Sequence, residues 1–382
     1  MMQRQWLPVT VLSIVCLFVS SCGEQRIQIK PGWTISKLKY GKTSGTTSVG
    51  VYFPKAGDNL PLTFGIPLGQ SESCDDITLF DQNGNSLPVS CIPLANWWVH
   101  PARWTLISTV VVSKSADSQQ TLTIKWGAGK LQKSGISLEH TITNAALTIK
   151  NGDYTLVLSM NGIERLITQG KSADLLPNNC SITLKNGNIT QPGNLIISVL
   201  HDSPLYKKFR CSATLTDGLD IHREYELWAG SPYVRCSTRY INRTLKDIPL
   251  NSISPVNVHM RDAEQAYFGV VGQSSITGEI CEIHQRAFEC FGVADGVRYP
   301  FKDDMETGVW AMVPETVANP GFMLVFPYFR GMAAGNADME SVVSCQNGTM
   351  RLEHFMPLVN SADVRIRETM ARTFTCWLVV NS

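Results

Sequence analysis

A chain of 382 residues with 43% hydrophobic and 17% charged side chains has the composition of an ordinary folded protein. Its formal net charge of +1 at pH 7 excludes the strongly basic footprint that nucleic-acid binding rewards and gives no support to a dedicated polyanion clamp, although a net count does not see a local patch. The length exceeds what one hydrophobic core commonly takes, so two domains are expected.

At the N-terminus Arg4 precedes an apolar run from Trp6 to Val19, then the small residues Ser20 and Ser21, then Cys22. Charged, apolar and small regions in that order read as an export signal, and the apolar part is shorter than the roughly 20 residues that span a bilayer. Val19-Ser20-Ser21-Cys22 resembles the lipobox of bacterial lipoproteins, where cleavage leaves an acylated cysteine at the new N-terminus; the alternative is an ordinary cleaved signal with a chance cysteine nearby. The lipobox reading implies a chain lipid-anchored in the bacterial cell envelope, facing the periplasm or exterior, with residues 1–21 as signal and 22–46 as a polar, basic tether.

Beyond the tether, turn punctuation dominates. Asn-Gly stands at Asn83-Gly84, Asn151-Gly152, Asn161-Gly162, Asn186-Gly187 and Asn347-Gly348, and Asp-Gly at Asp217-Gly218 and Asp295-Gly296. These dipeptides supply the positive φ of tight hairpin turns. They separate alternating segments such as Thr121–Trp126, Leu147–Lys150, Tyr154–Leu158 and His222–Trp228, which read as half-buried strands. No long segment keeps a helical period; Ser361 to Met370 offers one or two turns at most. The prediction is an all-β protein, divided near Gly127-Ala128-Gly129-Lys130 into residues 47–130 and a larger two-sheet sandwich over 131–382.

Of the 11 cysteines, Cys16 leaves with the signal and Cys22 is the expected anchor. Disulfides persist in exported chains. Proximity in sequence suggests Cys74 with Cys91, Cys211 with Cys236, Cys281 with Cys290 and Cys345 with Cys376, leaving Cys180 over, although sequence alone does not determine connectivity. Cys281, His284 and Cys290 offer three metal ligands but match no familiar closed zinc spacing, so no metal is expected. Asp303-Asp304 with Glu306 lacks a full calcium loop pattern and reads as a solvated turn; no cofactor is expected.

The smaller unit carries Leu62-Thr63-Phe64-Gly65-Ile66-Pro67-Leu68-Gly69, then Ile77–Val89 with Asp81-Gln82-Asn83-Gly84 inside it, then Trp98-Val99-His100-Pro101-Ala102-Arg103-Trp104. That order resembles the N-terminal RIFT-barrel domain of the exo-rhamnogalacturonan lyase-like (YetA-like) family. Arg223–Trp228 with Ala229-Gly230-Ser231 is similar to the family's central β-sandwich, and Phe326-Pro327-Tyr328-Phe329-Arg330 and Met370–Phe374 to its closing strands. The resemblance implies a small RIFT-type barrel followed by a large antiparallel sandwich. Two departures weaken the functional implication: His100-Pro101-Ala102 replaces the family's Asp-Gly-Ser turn, and the 382 residues do not extend into the family's C-terminal α/α toroid, which fits either a scaffold that lost the chemistry or one part of a split or truncated gene.

Uronide β-elimination, the chemistry that the resemblance implies, needs a group to neutralise the carboxylate, a base and an acid. Candidates are His222, Arg223, Tyr225, His284, Arg330 and His354, none in a motif with required spacing. On a strand His222 and Glu224 face one side and Arg223 and Tyr225 the other. Ordinary strand residues are the favoured reading, so no catalytic residue is assigned. No nucleophile elbow, phosphate-binding glycine loop or His-Glu-x-x-His motif is present. Aromatic residues are the better lead: Trp97, Trp98 and His100 are candidate carbohydrate-binding residues, with a place in the barrel core as the alternative for Trp98, whereas Trp104 reads as core. Asn188, Asn242 and Asn347 head glycosylation sequons taken as chance matches.

These readings favour a glycan-binding surface lipoprotein, or a non-catalytic part of a polysaccharide-degrading system. The alternatives are a structural lipoprotein that binds another surface protein, and an active rhamnogalacturonan-type lyase built on the sandwich alone. Expected partners are accordingly a polysaccharide or a surface protein, and the membrane through the lipid.

Overall fold

The computed structural model describes residues 44–54, 56–68, 76–97, 100–127, 135–143, 146–159, 162–176, 182–184, 189–190, 196–215, 218–260, 267–270, 282–286, 289–294, 296–300, 309–316, 320–327, 339–346, 349–357 and 365–381. The expected signal, Cys22 and the tether before residue 44 lie outside them. The regular elements are all β-strands. In chain order the first are β1 (Gly45–Phe53), β2 (Gly57–Leu68), β3 (Thr78–Phe80), β4 (Ser86–Leu87), β5 (Val89–Trp97), β6 (His100–Ser113) and β7 (Ser118–Trp126). Then come β8 (Leu138–Ile142), β9 (Ala146–Asn151), β10 (Tyr154–Ser159), β11 (Gly162–Thr168), β12 (Lys171–Leu176), β13 (Ile182–Leu184), β14 (Ile189–Thr190) and β15 (Ile196–Asp202). The long central strands are β16 (Tyr206–Thr214), β17 (Leu219–Trp228), β18 (Tyr233–Asn242) and β19 (Ile248–Met260), followed by β20 (Tyr267–Val270), β21 (Glu282–Arg286), β22 (Cys290–Ala294) and β23 (Val297–Pro300). The chain closes with β24 (Val309–Val313), β25 (Gly321–Phe326), β26 (Met339–Gln346), β27 (Thr349–Pro357), β28 (Arg365–Ile366) and β29 (Ala371–Asn381).

The turn chemistry read from sequence operates with small offsets. At Asp81-Gln82-Asn83-Gly84 the Asp81 carboxylate accepts the backbone N–H groups of Asn83 (2.9 Å) and Asn85 (2.8 Å), and Gly84 takes φ 81°. At Asn151-Gly152 the loop shifts by one: Asn151 ends β9 opposite Tyr154, and Gly152 with Asp153 makes the two-residue turn. The β11–β12 hairpin turns on Gln169-Gly170, both at positive φ, a dipeptide that carried no strong signal. The weak helical expectation over Ser361–Met370 is corrected in its described part. Arg365 and Ile366 pair with Pro249 and Ile248 as β28, because burying Ile366 in the core outweighs one isolated helical turn.

Two compact units are present. The first takes the described parts of Met1–Tyr52, Thr63–Ile107 and Gln119–Gln132; the second takes those of Phe53–Leu62, Ser108–Ser118 and Lys133–Ser382. In the first, Leu79 of β3 sits opposite Ile124 of β7, and both are fully buried with Ile77 and Leu122. The N-terminal strands form a four-stranded sheet, β1-β7-β3-β4, and a three-stranded sheet, β2-β6-β5. Among the described residues no closed barrel is present: β4 is two residues long and ends its sheet as an edge.

The second unit is an antiparallel sandwich. One sheet runs β15-β16-β17-β18-β29-β25-β24-β20. The other runs β23-β22-β21-β26-β27-β19-β12-β11-β10-β9-β8, with β13, β14 and β28 attached. Ala213, Ile221, Tyr240 and Phe374 from the first meet Leu250, Ile253 and Ile366 from the second in one buried cluster. Along most of β16 and β17 burial alternates as a half-buried strand must, which leaves the opposite face of the eight-stranded sheet for polar groups.

Two buried asparagines lock the irregular ends. Asn151 Nδ2 donates to Tyr154 Oη (2.7 Å), Trp228 O (2.9 Å) and Ser231 O (3.1 Å), while its Oδ1 accepts Gly230 N–H (2.7 Å). This holds the Ala229-Gly230-Ser231 turn, where Gly230 takes φ 70° and an added Cβ would stand 2.9 Å from Ile136 Cδ1. Asn242 Nδ2 likewise donates to the carbonyls of Lys246, Ile366 and Arg367, and its Oδ1 accepts from Thr244 N and Oγ1. The Asn242-Arg243-Thr244 sequon is thus a buried turn lock whose amide nitrogen already serves three carbonyls.

Candidate functional site

The face of the eight-stranded sheet opposite the core is the candidate site. In β17, Leu219, Ile221, Arg223, Tyr225 and Leu227 point inward, so Asp220, His222, Glu224, Glu226 and Trp228 share the outer face. Register then builds rows across strands. Lys208, Glu226, Arg235 and Trp377 form one row, and Arg210, Glu224, Ser237 and Thr375 the next. Ser212, His222, Arg239 and Thr373 form a third. At the end nearest Ser231, Tyr206 lies opposite Trp228 with ring centroids 5.3 Å apart, and Trp228 stacks on Trp377 at 5.9 Å and 24°. Trp228 is 2% exposed, and among the described residues its indole N–H has no hydrogen-bond partner. Trp377 remains half-buried.

Charge is distributed around two carboxylates. Glu226, its side chain 8% exposed, accepts a hydrogen bond from Tyr206 Oη (3.1 Å) and pairs with Lys208 and Arg235, each at 3.3 Å. Glu224 pairs with Lys208 (2.8 Å) and takes both Nε and Nη2 of Arg210 (2.9 and 2.6 Å). Burial raises the Glu224 pKa, but hydrogen bonds from Lys208 and Arg210 outweigh it and hold the carboxyl below its ordinary range. One row away the sign reverses. Burial and the guanidinium groups of Arg210, Arg243 and Arg239 depress the His222 pKa against the weaker pull of Asp220, so the imidazole is neutral at pH 7. Arg239 is exposed and donates from Nε to Thr373 Oγ1 (3.1 Å). This end offers a neutral base beside cationic groups; the other offers stacked indoles beside hydrogen-bonding charges.

A second polar cluster lies on the outer face of the other sheet. His284 bridges Glu282 (Nε2, 3.0 Å) and Glu340 (Nδ1, 3.2 Å) and stacks flat on Phe291 at 4.8 Å. Arg286 Nε reaches Glu340 at 3.2 Å, and Arg298 Cζ lies 3.6 Å from the centroid of the Phe291 ring. The two carboxylates occupy opposite ring nitrogens, so they do not converge on a common point, and among the described residues no group of three metal ligands occurs. These groups satisfy one another and read as a structural network.

The sequence candidates distribute unevenly. His222 is on the candidate face; Arg223 and Tyr225 point into the core, as strand alternation predicts; His284 is in the second network. Trp98, Arg330, Cys74, Cys180, Cys281 and Asp303-Asp304 with Glu306 lie outside the described residues, as do the side chains of Trp97, His100, Trp104, Cys345 and His354. Cys211, Cys236 and Cys376 carry thiols, and the suggested pairing of Cys211 with Cys236 is corrected by register: Cys211 sits opposite Arg223, and Cys236 opposite Cys376. Cys376 therefore faces β18, whereas Cys345, its suggested partner, sits opposite Met350 in the other sheet. Trp377, Lys208, Arg210 and Arg235 escaped sequence reading. Trp228 stood within an alternating run, but nothing local linked it to a strand that begins at Ala371.

No family model matches the chain, and no curated protein matches it in sequence. Solved structures do resemble its fold. A protein of glycosyl hydrolase family 38 from Enterococcus faecalis superposes with a TM-score of 0.51 at 10% identity, over 89% of this chain and 44% of that one. An α-mannosidase from Enterococcus faecalis V583 gives 0.47 at 10% identity, over 89% and 43%. A galactose mutarotase-like protein from Clostridium acetobutylicum gives 0.35 at 8% identity, over 64% and 98%. This chain thus spans less than half the length of the first two, and none of the three is described as a rhamnogalacturonan lyase. At such identities the likeness is one of fold: an all-β chain built like part of a glycosyl hydrolase family 38 protein.

Proposed function

We propose that the outer face of the eight-stranded sheet binds a glycan. In this reading the chain is an exported, lipid-anchored component of a pectin-type polysaccharide-degrading system, related to the exo-rhamnogalacturonan lyase-like proteins. The observation that carries the binding reading is the half-buried Trp377, backed from below by the buried Trp228 ring and bordered by rows of charged and hydroxyl side chains on one face. Indoles offer flat apolar area to sugar ring faces at little cost in side-chain entropy, and the rows supply directional hydrogen bonds to hydroxyls. The fold shared with a glycosyl hydrolase family 38 protein supports a carbohydrate role. Trp377→Ala is expected to weaken binding of a rhamnogalacturonan oligosaccharide about 10-fold, from the loss of about 1.4 kcal/mol, measured by titration calorimetry on folded protein. Absence of binding by the unmutated chain across a glycan panel, with a stoichiometric protein partner recovered instead, would replace this reading with a scaffold role.

A second reading, an active lyase, is favoured by His222. A neutral imidazole next to Arg210 and Arg239 has the groups to accept a proton beside a uronate carboxylate. The ultraviolet absorbance of newly formed unsaturated uronide tests it. The expected result is a steady rise with the unmutated protein and at least a 100-fold slower one with His222→Ala, both read at saturating glycan. A flat trace from the unmutated protein discards the lyase and leaves binding standing.

A further inference from the structure

We propose that Cys236 and Cys376 form an oxidative cross-link site, joining β18 to β29 through a disulfide. The two residues are directly opposite in the antiparallel ladder and project to the same side, the inward face that also holds Val234, Tyr240, Phe374 and Leu378. Directly opposite residues of an antiparallel pair have Cα atoms roughly 4.5 or 5.5 Å apart, inside the range a disulfide accepts. Cys211 is excluded as a partner. It lies on β16, two strands from Cys236, and at roughly 4.8 Å per strand the separation exceeds the ~7 Å limit for bridging without backbone movement.

The chemistry balances with a low-molecular-weight disulfide as oxidant. One cysteine, as thiolate, attacks the oxidant to give a mixed disulfide and releases one thiol. The second thiolate then attacks the protein-bound sulfur, forming the Cys236–Cys376 bond and releasing a second thiol. The protein loses two protons and two electrons, and the oxidant gains them. The hydrogen bond to Cys376, with burial, holds the Cys236 thiol well above its usual pKa, so the reaction is slow at pH 7 and quickens as pH rises. On the outer face the same two strands carry Arg235, Ser237 and Arg239 beside Trp377, Thr375 and Thr373, so the bond fixes the spacing of groups within the candidate site.

The test incubates the folded chain with oxidised glutathione at pH 8.5, unfolds it in iodoacetamide, and maps peptides by mass spectrometry. The expected product is one peptide pair joined through Cys236 and Cys376, with both cysteines unalkylated and Cys211 alkylated. A rise in Tm of about 5–10 °C over the reduced chain accompanies it, because the bond closes a loop of about 140 residues. Cys236→Ser is expected to abolish both the linked peptide and the rise. Recovery of Cys236 and Cys376 in alkylated form, or a bond from either to Cys211, overturns the assignment. The mapping on the unmutated chain decides the matter whether or not the serine variant folds.

Discussion

Asn151→Ala is expected to destabilise the second unit by about 3 kcal/mol, the largest effect anticipated for a single polar side chain. The alanine takes the side-chain acceptor from Gly230 N–H and one of two donors from each of Trp228 O and Ser231 O, which keep Ser231 N–H and Tyr154 Oη, and Tyr154 Oη loses its donor. Each buried unmet polar group costs about 1–3 kcal/mol, against a net worth of about 1 kcal/mol for a typical bond that is simply exchanged with water. Tyr154→Phe removes only the hydroxyl that accepts from Asn151 and donates to Ser231 O, and is expected to cost about 1–2 kcal/mol. The double variant should lose less than the two singles combined, because both act on one network. Urea unfolding followed by tryptophan fluorescence measures all three. A loss below about 0.5 kcal/mol for Asn151→Ala would mean that water enters the turn and that the lock is not structural.

His284→Ala is expected to cost about 2–3 kcal/mol near pH 6 and clearly less near pH 9. Burial opposes the imidazolium, but hydrogen bonds to Glu340 and Glu282 outweigh it and raise the pKa above its usual value. A raised folded-state pKa gives a contribution that is complete below the unfolded pKa of about 6.5 and is lost as pH rises through the folded value. Glu340 has the opposite sign. His284 and then Arg286 lower its pKa against burial, so its contribution is present above the ordinary carboxylate range and is lost as pH falls through the depressed value. The pair therefore stabilises most in the window between those limits, where imidazolium and carboxylate coexist. With the side chain 15% exposed, solvent screening is modest, and the flat stack on Phe291 adds a packing loss that does not vary with pH. Thermal melts of both forms from pH 5 to 9 give the comparison. A difference independent of pH would reduce the cluster to packing alone.

The disulfide reading shows where sequence proximity misleads. Cys211 and Cys236 are 25 positions apart, yet the β17 strand stands between them. Cys236 and Cys376 are far apart in sequence but adjacent in the ladder. The aromatic lead was similarly displaced. Trp97 and Trp98 attracted notice because they adjoin in sequence, whereas Trp228 and Trp377 meet only because β18 lies between their strands and sets Trp377 opposite Arg235, in the row next to Trp228.

By itself the sequence determined what depends on neighbours along the chain. The two-residue period makes every described element a strand and places His222 and Glu224 on the face opposite Arg223 and Tyr225; glycine at positive φ marks most hairpins. Tertiary structure alone decided which strands adjoin. It placed Asn151 under the Gly230 turn, turned the Arg365–Ile366 segment from a candidate helix into a strand, and assembled the outer face from β16, β17, β18 and β29. The physical reason is that alternation specifies a face but not a partner. Pairing is selected by burial of residues such as Tyr240, Ile253 and Ile366, which lie far apart in the chain and meet only in the closed sandwich.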